Sequence, residues 1–122
     1  MDFRRAEVWE VAMVVAAETC RIASRLPREE RFGMRSQVTR ASISVPSNIV
    51  EGWRRESAKE KLQFFAIAHG SLAELQTQLM LCQRLGWAPG AEIDDLLNLT
   101  EQVSRMLTVL KQRWRRSTTP RR

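Results

Sequence analysis

The chain has 122 residues, of which 43% are hydrophobic, and a formal net charge of +6 from 20 basic and 14 acidic residues. This length suits a single domain with a core of usable size. Two cysteines, Cys20 and Cys82, are too few and too distant for a disulfide framework or a CxxC redox motif, so we expect both to be reduced and buried. The N-terminal apolar run is interrupted by Glu10 and is too short to span a bilayer. Because no targeting signal is evident, we expect a cytoplasmic protein without membrane contact.

The first two predicted helices are separated by the breaker sequence RLPREERFG. Helix one is predicted over about residues 4–26. Its apolar residues recur at the spacings of one helical face, with Thr19 filling a gap: Val8, Val11, Val15, Ile22 and Leu26. Helix two is predicted over about residues 34–54, with an inner seam made of Met34, Val38, Ala41, Val45, Asn48 and Gly52.

The third predicted helix, over residues 57–86, has the clearest ends. Ser57 and Glu60 have the spacing of a capping box, in which each side chain bonds the backbone N–H of the other residue. Gly86 is expected to end the helix, and Trp87 to make the apolar contact of a Schellman cap. Between these ends the predicted core residues alternate at spacings of three and four: Phe65, Ala68, Leu72, Leu75, Leu79 and Cys82.

The fourth predicted helix covers residues 91–116, after the turn sequence APG. Its inner face shows the same alternation: Ile93, Leu96, Thr100, Val103, Leu107, Leu110 and Trp114. A repeat averaging 3.5 residues is typical of helices that cross at about 20°, and short connections place successive helices antiparallel. We therefore predict an all-α fold, an antiparallel up-down-up-down four-helix bundle over residues 1–116, followed by a basic flexible tail over residues 117–122.

Three residues of the predicted second and third helices are unusual in an amphipathic helix. Pro46 removes a backbone hydrogen bond and is expected to kink helix two. Gly70 costs about 1 kcal/mol relative to alanine, which indicates a close approach between helices three and two. Asn48 is predicted to lie buried on the seam, where Glu51, Glu74 or backbone groups freed by Pro46 can satisfy its amide.

The positive charge is concentrated at the C-terminus. Residues 1–110 carry equal numbers of basic and acidic residues, so the last twelve residues hold the whole excess: Lys111, Arg113, Arg115, Arg116, Arg121 and Arg122. Such a segment can bind phosphate polymers through counterion release, and Arg54 and Arg55 can extend the patch if they share its face. The alternative is a solvated tail whose cations complement the dipole of the last helix.

Enzymatic chemistry has little support in the sequence. His69 is the only histidine, which excludes a di-metal site with two Glu-x-x-His pairs, and no catalytic triad or Gly-rich phosphate loop is present. A site built from Asn48, Glu51, Glu60 and Glu74 is a third hypothesis, but it lacks a nucleophile and a metal-ligand set. We therefore expect a non-enzymatic protein with no metal, no cofactor and no small-molecule substrate.

The tryptophan content favours self-association. A single four-helix core cannot easily bury four tryptophans, and large aromatic residues outside a core tend to lie in interfaces. We therefore expect a closed homo-oligomer that uses some of these side chains: Trp9, Trp53, Trp87 and Trp114.

The segment from Ser44 to Leu79 resembles a known family pattern. That pattern joins Ser-Ile/Val-Pro-x-Asn-Ile-x-Glu-Gly to Ser-x-x-Glu, then to Phe, Ala-x-Gly-Ser and Glu-Leu-x-x-Gln-Leu. The matching residues here are Ser44, Pro46, Asn48, Ile49, Glu51, Gly52, Ser57, Glu60, Phe64, Ala68, Gly70, Ser71, Glu74, Leu75, Gln78 and Leu79. On these residues the chain resembles the small proteins encoded in intervening sequences of bacterial 23S rRNA genes. The resemblance covers most of the chain up to about Gly86. Arg54-Arg55 and Gln76 depart from the family's usual Gly-Arg and glutamate.

The resemblance implies a four-helix bundle that assembles into a ring-shaped homopentamer. It also implies a remote similarity to the accessory proteins of diversity-generating retroelements, which bind reverse transcriptase and nucleic acid. The leading hypothesis is therefore an oligomeric scaffold that contacts RNA or an RNA-binding protein. The alternative is a protein-only assembly module that does not bind nucleic acid.

Overall fold

The computed structural model describes residues 2–30 and 32–118, and within them it contains four α-helices and no strand. The helices are α1 (Glu7–Ala23), α2 (Met34–Arg54), α3 (Ala58–Arg84) and α4 (Gly90–Thr118). Short 3₁₀ turns at Phe3–Arg5 and Arg28–Glu30 precede α1 and α2. The predicted all-α class with four helices is confirmed. No helix in these two ranges is both long enough and apolar enough to cross a membrane.

The predicted helix boundaries need two corrections. The first helix is shorter than residues 4–26, because Ala6 has an extended backbone that separates the Phe3–Arg5 turn from α1. The fourth helix, Gly90–Thr118, is longer than the predicted residues 91–116, so residues 117 and 118, which were predicted to begin the tail, lie in the helix. Arg121 and Arg122 lie outside the described residues.

The core contains the residues predicted for α3 and most of those predicted for α4, but the predicted inner residues Val11, Met34 and Trp114 are only half-buried, and one inward position on α2 changes. Every predicted core residue of α3 is fully buried, from Phe65 to Cys82. On α2 the fully buried residue is Ile49, whereas the predicted seam residue Asn48 is only half-buried. Ile49 continues the inner row just as well, because it lies four residues after Val45 and three before Gly52.

Only one of the two cysteines is buried as predicted. Cys82 lies in the core, but Cys20 is exposed on α1. Thr19 takes the inward position at that turn, and its hydroxyl donates to the Val15 carbonyl at 2.8 Å, so no polar group is left unsatisfied. Because successive residues are rotated by about 100° around a helix, Cys20 points away from the core.

The predicted glycine turn at the end of α3 and the Ser57 half of the predicted capping box are observed, whereas the reciprocal bond from the Glu60 carboxylate to the Ser57 N–H remains a prediction. Ser57 caps the N-terminus, where its Oγ accepts a hydrogen bond from the Glu60 N–H at 3.1 Å. At the other end Gly86 has φ +71°, a left-handed conformation that suits glycine. The Gly86 N–H bonds the Gln83 carbonyl, and the Trp87 N–H bonds the Cys82 carbonyl, which is the Schellman pattern.

The predicted close approach at Gly70 is wrong, and the tight contact lies at Gly52. A Cβ built on Gly70 has no neighbouring atom within 4 Å, because Gly70 is on an exposed face of α3. A Cβ built on Gly52 would lie 2.6 Å from Cε1 of the buried Phe65 and 3.2 Å from the Lys61 carbonyl. Glycine is therefore required where the end of α2 crosses the start of α3. Pro46 is buried within α2, and the kink predicted there remains a prediction.

Side-chain pairs between α3 and α4 follow a consistent order. His69 Nε2 lies 2.9 Å from Ser104 Oγ, Gln76 bonds Thr100 at 3.0 Å, and Gln83 bonds Asp94 at 3.0 Å. Later residues of α3 thus pair with earlier residues of α4. The start of α3 therefore lies near the end of α4, and the groups described next are located there.

Candidate nucleic-acid interface

One end of the bundle gathers exposed cations around a half-buried tryptophan, and we call it the Trp53 end. It comprises the residues before and at the start of α1, the end of α2, the start of α3 and the end of α4. Three clefts there share Trp53 as a lining residue, which establishes that these four segments meet. Segments 2–10, 51–61 and 105–117 carry eleven basic and six acidic residues. The charge excess therefore includes folded parts of the bundle.

The first cleft, between Trp53 and Trp114, has a volume of about 310 Å³ and an ordered cation at its wall. Lys61 Nζ donates to the Trp53 carbonyl at 2.8 Å and lies 5.1 Å from the Trp114 ring centroid. Its second, longer bond reaches the Gly52 carbonyl at 3.4 Å. Lys61 therefore satisfies the last carbonyls of α2 and fixes the side chains that form the cleft.

The second cleft lies between the start of α1 and the end of α4 and has a volume of about 500 Å³. We call the apolar lining of this cleft its floor and the charged lining its rim; the floor includes Trp53, Met106 and Val109, and Val109 is 63% exposed. Three exposed arginines line the rim: Arg5, Arg105 and Arg113. The ion pairs recorded between described residues leave all three guanidinium groups without a carboxylate partner. Glu7 is the acidic residue in this lining, so the rim keeps a positive balance.

The predicted basic residues are divided between different faces. Arg113 joins the second cleft, whereas Lys111 lies toward His69, and the burial of its ammonium together with the charge of Arg115 lowers the pKa of Lys111. Arg116 is exposed, and its Nε bonds the Gln112 carbonyl at 3.5 Å. Positions 111 and 113 differ by about 200° around a helix, which explains the division.

Arg54 and Arg55, at the end of α2, have different surroundings. Arg54 is exposed and lies 5.7 Å from the Phe3 ring centroid, beside the third cleft. Arg55 forms an ion pair with Glu51 at 2.8 Å, and its guanidinium lies 4.5 Å from the Phe64 ring centroid. Arg54 therefore adds to the Trp53 end, while Arg55 is held against its neighbours.

The motif residues in the middle of α2 and α3 form a polar contact between the helices. Asn48 Nδ2 donates to the Ser44 carbonyl at 2.8 Å and to Ser44 Oγ at 3.0 Å, and Ser44 Oγ lies 2.8 Å from Ser71 Oγ. The hydrogen-bonded Asn48 agrees with prediction, but Ser44 takes the place expected for Glu51 and Glu74. Glu51 bonds Arg55 instead, and Glu74 is exposed.

The remaining candidates for chemistry are dispersed. No three histidine, cysteine, aspartate or glutamate residues in the described ranges are close enough together to hold a metal ion. His69 contacts Ser104, and burial, reinforced by the positive charge of Lys111, lowers the pKa of the His69 imidazole. This neutral pair joins α3 to α4.

A separate apolar groove lies between α1 and α2, which we call the α1–α2 groove. It has a volume of about 580 Å³, and Met13 and Ile43 on its walls are 42% and 48% exposed. The half-buried Trp9 and the exposed Cys20 also line it. This groove contains little charge and is chemically distinct from the Trp53 end.

Sequence reasoning missed Arg5, Arg105 and Lys61 as parts of the basic end. Arg105 and Arg113 are eight residues apart on α4, a spacing that places them on one helical face and that the sequence could have revealed. Arg5 is remote in sequence from both, and only the packing of α1 against α4 brings it to the same cleft.

Comparisons with known proteins agree with this fold. The family model described as 23S rRNA-intervening sequence protein matches residues 4–109. A solved structure from Bacteroides thetaiotaomicron, described as a protein of unknown function from the S23 ribosomal protein family, superimposes with a TM-score of 0.80. The alignment has 20% sequence identity and covers 85% of this chain and 97% of that one. No curated protein matches the chain significantly. Because the family model covers most of the sequence and extends beyond Gly86 into α4, the chain belongs to the 23S rRNA-intervening sequence protein family.

Proposed function

We propose that the protein is a cytoplasmic, non-enzymatic scaffold that self-associates and contacts RNA, or an RNA-associated partner, through the Trp53 end. The observation that carries this proposal is the group of arginines Arg5, Arg105 and Arg113, which share a cleft without carboxylate partners. A fold has no need to collect like charges, whereas a polyanion is bound by such a group through counterion release.

Self-association is supported by the α1–α2 groove. Partly exposed aromatic and aliphatic side chains such as Trp9, Met13 and Ile43 are typical of surfaces that lie in interfaces. The order of side-chain pairs between α3 and α4 supports the antiparallel bundle expected for the family. We propose the ring-shaped pentamer that the resemblance implies, in which the Trp53 ends are repeated around one axis and gain RNA affinity by avidity.

The RNA proposal is tested by removing charge at one end of the bundle at a time. A labelled structured RNA is titrated with the wild type and with the Arg113→Gln/Arg115→Gln/Arg116→Gln variant, at low and moderate salt. The matched control is Arg21→Gln/Arg28→Gln/Arg84→Gln, which removes the same charge from exposed sites elsewhere. Weaker, salt-sensitive binding is expected only for the first variant, and equal affinity of all three proteins would contradict the proposal.

Substitution is a cleaner test than deleting residues 111–122. That deletion would also remove Trp114, which packs partly buried against the core beneath Lys61. Loss of binding could then follow from local unfolding at the Trp53 end, whereas exposed arginines can be replaced without removing buried surface.

The alternative function, a protein-only assembly module, is favoured by the α1–α2 groove alone. Light scattering across micromolar concentrations separates the possibilities when combined with the titration. An oligomer that binds RNA at neither salt concentration would establish the alternative. A monomeric mass throughout the range would contradict self-association.

A further inference from the structure

We propose that the Trp53 end binds single-stranded nucleic acid, with an unpaired base against Trp53 and phosphates on Arg5, Arg105 and Arg113. This inference rests on the proposed function and specifies which form of the polyanion the site accepts. It comes from the combination of an apolar, aromatic cleft floor with a cationic rim.

The apolar floor is the first argument. Trp53, Met106 and Val109 are apolar lining residues of the second cleft, which they share with the three arginines. A duplex presents phosphates and sugars on its outside and keeps its bases stacked, so it would leave this floor uncovered. An unpaired base can enter a cleft of about 500 Å³, and stacking of a base on an aromatic side chain contributes about 1–3 kcal/mol.

The placement of the arginines is the second argument. Arg105 and Arg113 are eight residues apart on α4, which corresponds to about 12 Å along the helix. The two guanidinium groups can therefore hold different phosphates of one strand, and Arg5, which precedes α1, lines the same cleft. Arginine also binds phosphate oxygens through two N–H groups, which a point charge cannot do.

The fixed position of the neighbouring cation is the third argument. Lys61 lines the neighbouring first cleft, where it bonds the carbonyls of Gly52 and Trp53 and contacts the Trp114 ring, so it holds the end of α2 that carries Trp53 in place before any ligand arrives. A site whose aromatic side chains are held in place loses less conformational entropy on binding. The same arrangement gives no hydrogen-bond readout of base identity, so binding should be tolerant of sequence.

An acidic peptide is the competing kind of partner for three arginines. The carboxylates of such a peptide would pair with the arginines, but the peptide has no planar group that could stack on Trp53. Polyglutamate of matched charge therefore serves as a competitor in the test and separates the two chemistries.

The experiment compares a single-stranded oligouridine with an RNA duplex carrying the same number of phosphates, titrated with the wild-type protein at about 50 mM salt. The Arg5→Gln/Arg105→Gln variant removes two rim cations that are exposed, and Arg28→Gln/Arg84→Gln is the matched control. We expect the single strand to bind more tightly than the duplex. Loss of two phosphate contacts should weaken single-strand binding on the order of tenfold in the rim variant and leave the control unchanged.

A second measurement locates the bound base independently of affinity. Oligouridine containing 5-bromouridine is crosslinked by light, and the modified peptides are identified by mass spectrometry. Crosslinks at Trp53 or Met106 are expected, because both residues line the second cleft. Binding of RNA with crosslinks elsewhere, with equal affinity for the duplex, or with full displacement by polyglutamate would overturn this inference while leaving the proposed RNA contact standing. Absence of any RNA binding would overturn both.

Discussion

At both ends of the bundle a cation bonds the terminal carbonyls of a helix, but the two ends differ in their balance of basic and acidic residues. At the Trp53 end, Lys61 donates to the last carbonyls of α2. At the opposite end, which contains Trp87, Arg35 Nε donates to the Ala23 carbonyl at 2.8 Å and its Nη2 to the Ser24 carbonyl at 3.3 Å. In each case a cation near the start of one helix satisfies carbonyls at the end of the preceding helix.

When the capping cations are included, the numbers of basic and acidic residues are equal only at the Trp87 end. Segments 18–35 and 84–95 carry six basic and six acidic residues, and Arg25, just after α1, pairs with Glu92 of α4 at 2.8 Å. The Trp53 end instead leaves Arg5, Arg105 and Arg113 without carboxylates. Cations in the last turns of α2 and α4 complement the dipoles of those helices, but Arg5 and Arg105 lie outside these turns, and we propose that they serve an anionic partner.

The largest effect on stability is expected from Gly52→Ala at the Trp53 end. The added Cβ would overlap the ring of Phe65, which is fully buried and cannot move freely, so the free energy of unfolding should fall by about 3 kcal/mol. Urea unfolding followed by circular dichroism measures the loss. The matched control is Gly70→Ala on the open face of α3, which should raise stability by about 1 kcal/mol because alanine is the better helix former. If both variants unfold at the same urea concentration, the close contact at Gly52 is not real.

A middle-sized effect is expected from removing the capping cation at either end. Lys61→Met and Arg35→Met retain much of the aliphatic chain but lose bonds to two carbonyls each, so each should cost about 1–2 kcal/mol. Thermal unfolding of the two variants measures whether the ends are equivalent in stability. If only one of the two variants lost stability, the two cations would not contribute equally to stability, and the equivalence of the two ends would be wrong.

The smallest effect is expected from the pH dependence of His69, which lies between the ends. Burial lowers the pKa of its imidazole below the usual 6.5, so the unfolded chain binds more protons than the native state as pH falls through that value. Stability should therefore decrease slightly between pH 7.5 and 5.5. His69→Gln should flatten this dependence, since no other histidine is present. An unchanged slope in the variant would show that the pair with Ser104 does not sense pH.

Local sequence patterns predicted those features that depend on a single helix. The core face of α3, the Ser57 cap and the Gly86 turn follow from spacing and backbone chemistry within a few residues. Spacing alone did not show which of two neighbouring residues of α2 points inward, because Asn48 and Ile49 both continue the pattern. Packing against the other helices buries Ile49.

The candidate site was less predictable because it depends on contacts between helices. Gly52 and Gly70 look alike in sequence, but only Gly52 meets the side chain of another helix. The basic C-terminal segment was visible as a cluster of charges, whereas the direction of each side chain required the helix of residues 111–117. Arg5 joined the site through tertiary packing alone.

The salt dependence of single-stranded RNA binding tests the central claim most directly. The slope of log affinity against log salt is measured for the wild type, for Arg5→Gln/Arg105→Gln/Arg113→Gln, and for the control Arg21→Gln/Arg28→Gln/Arg84→Gln. If the surplus cations of the Trp53 end hold phosphates, the first variant should lose about 2 from the magnitude of the slope, at about 0.7 per contact, and the control should keep the wild-type slope. Identical slopes for all three proteins, or an equal loss in both variants, would contradict the assignment of RNA binding to the Trp53 end.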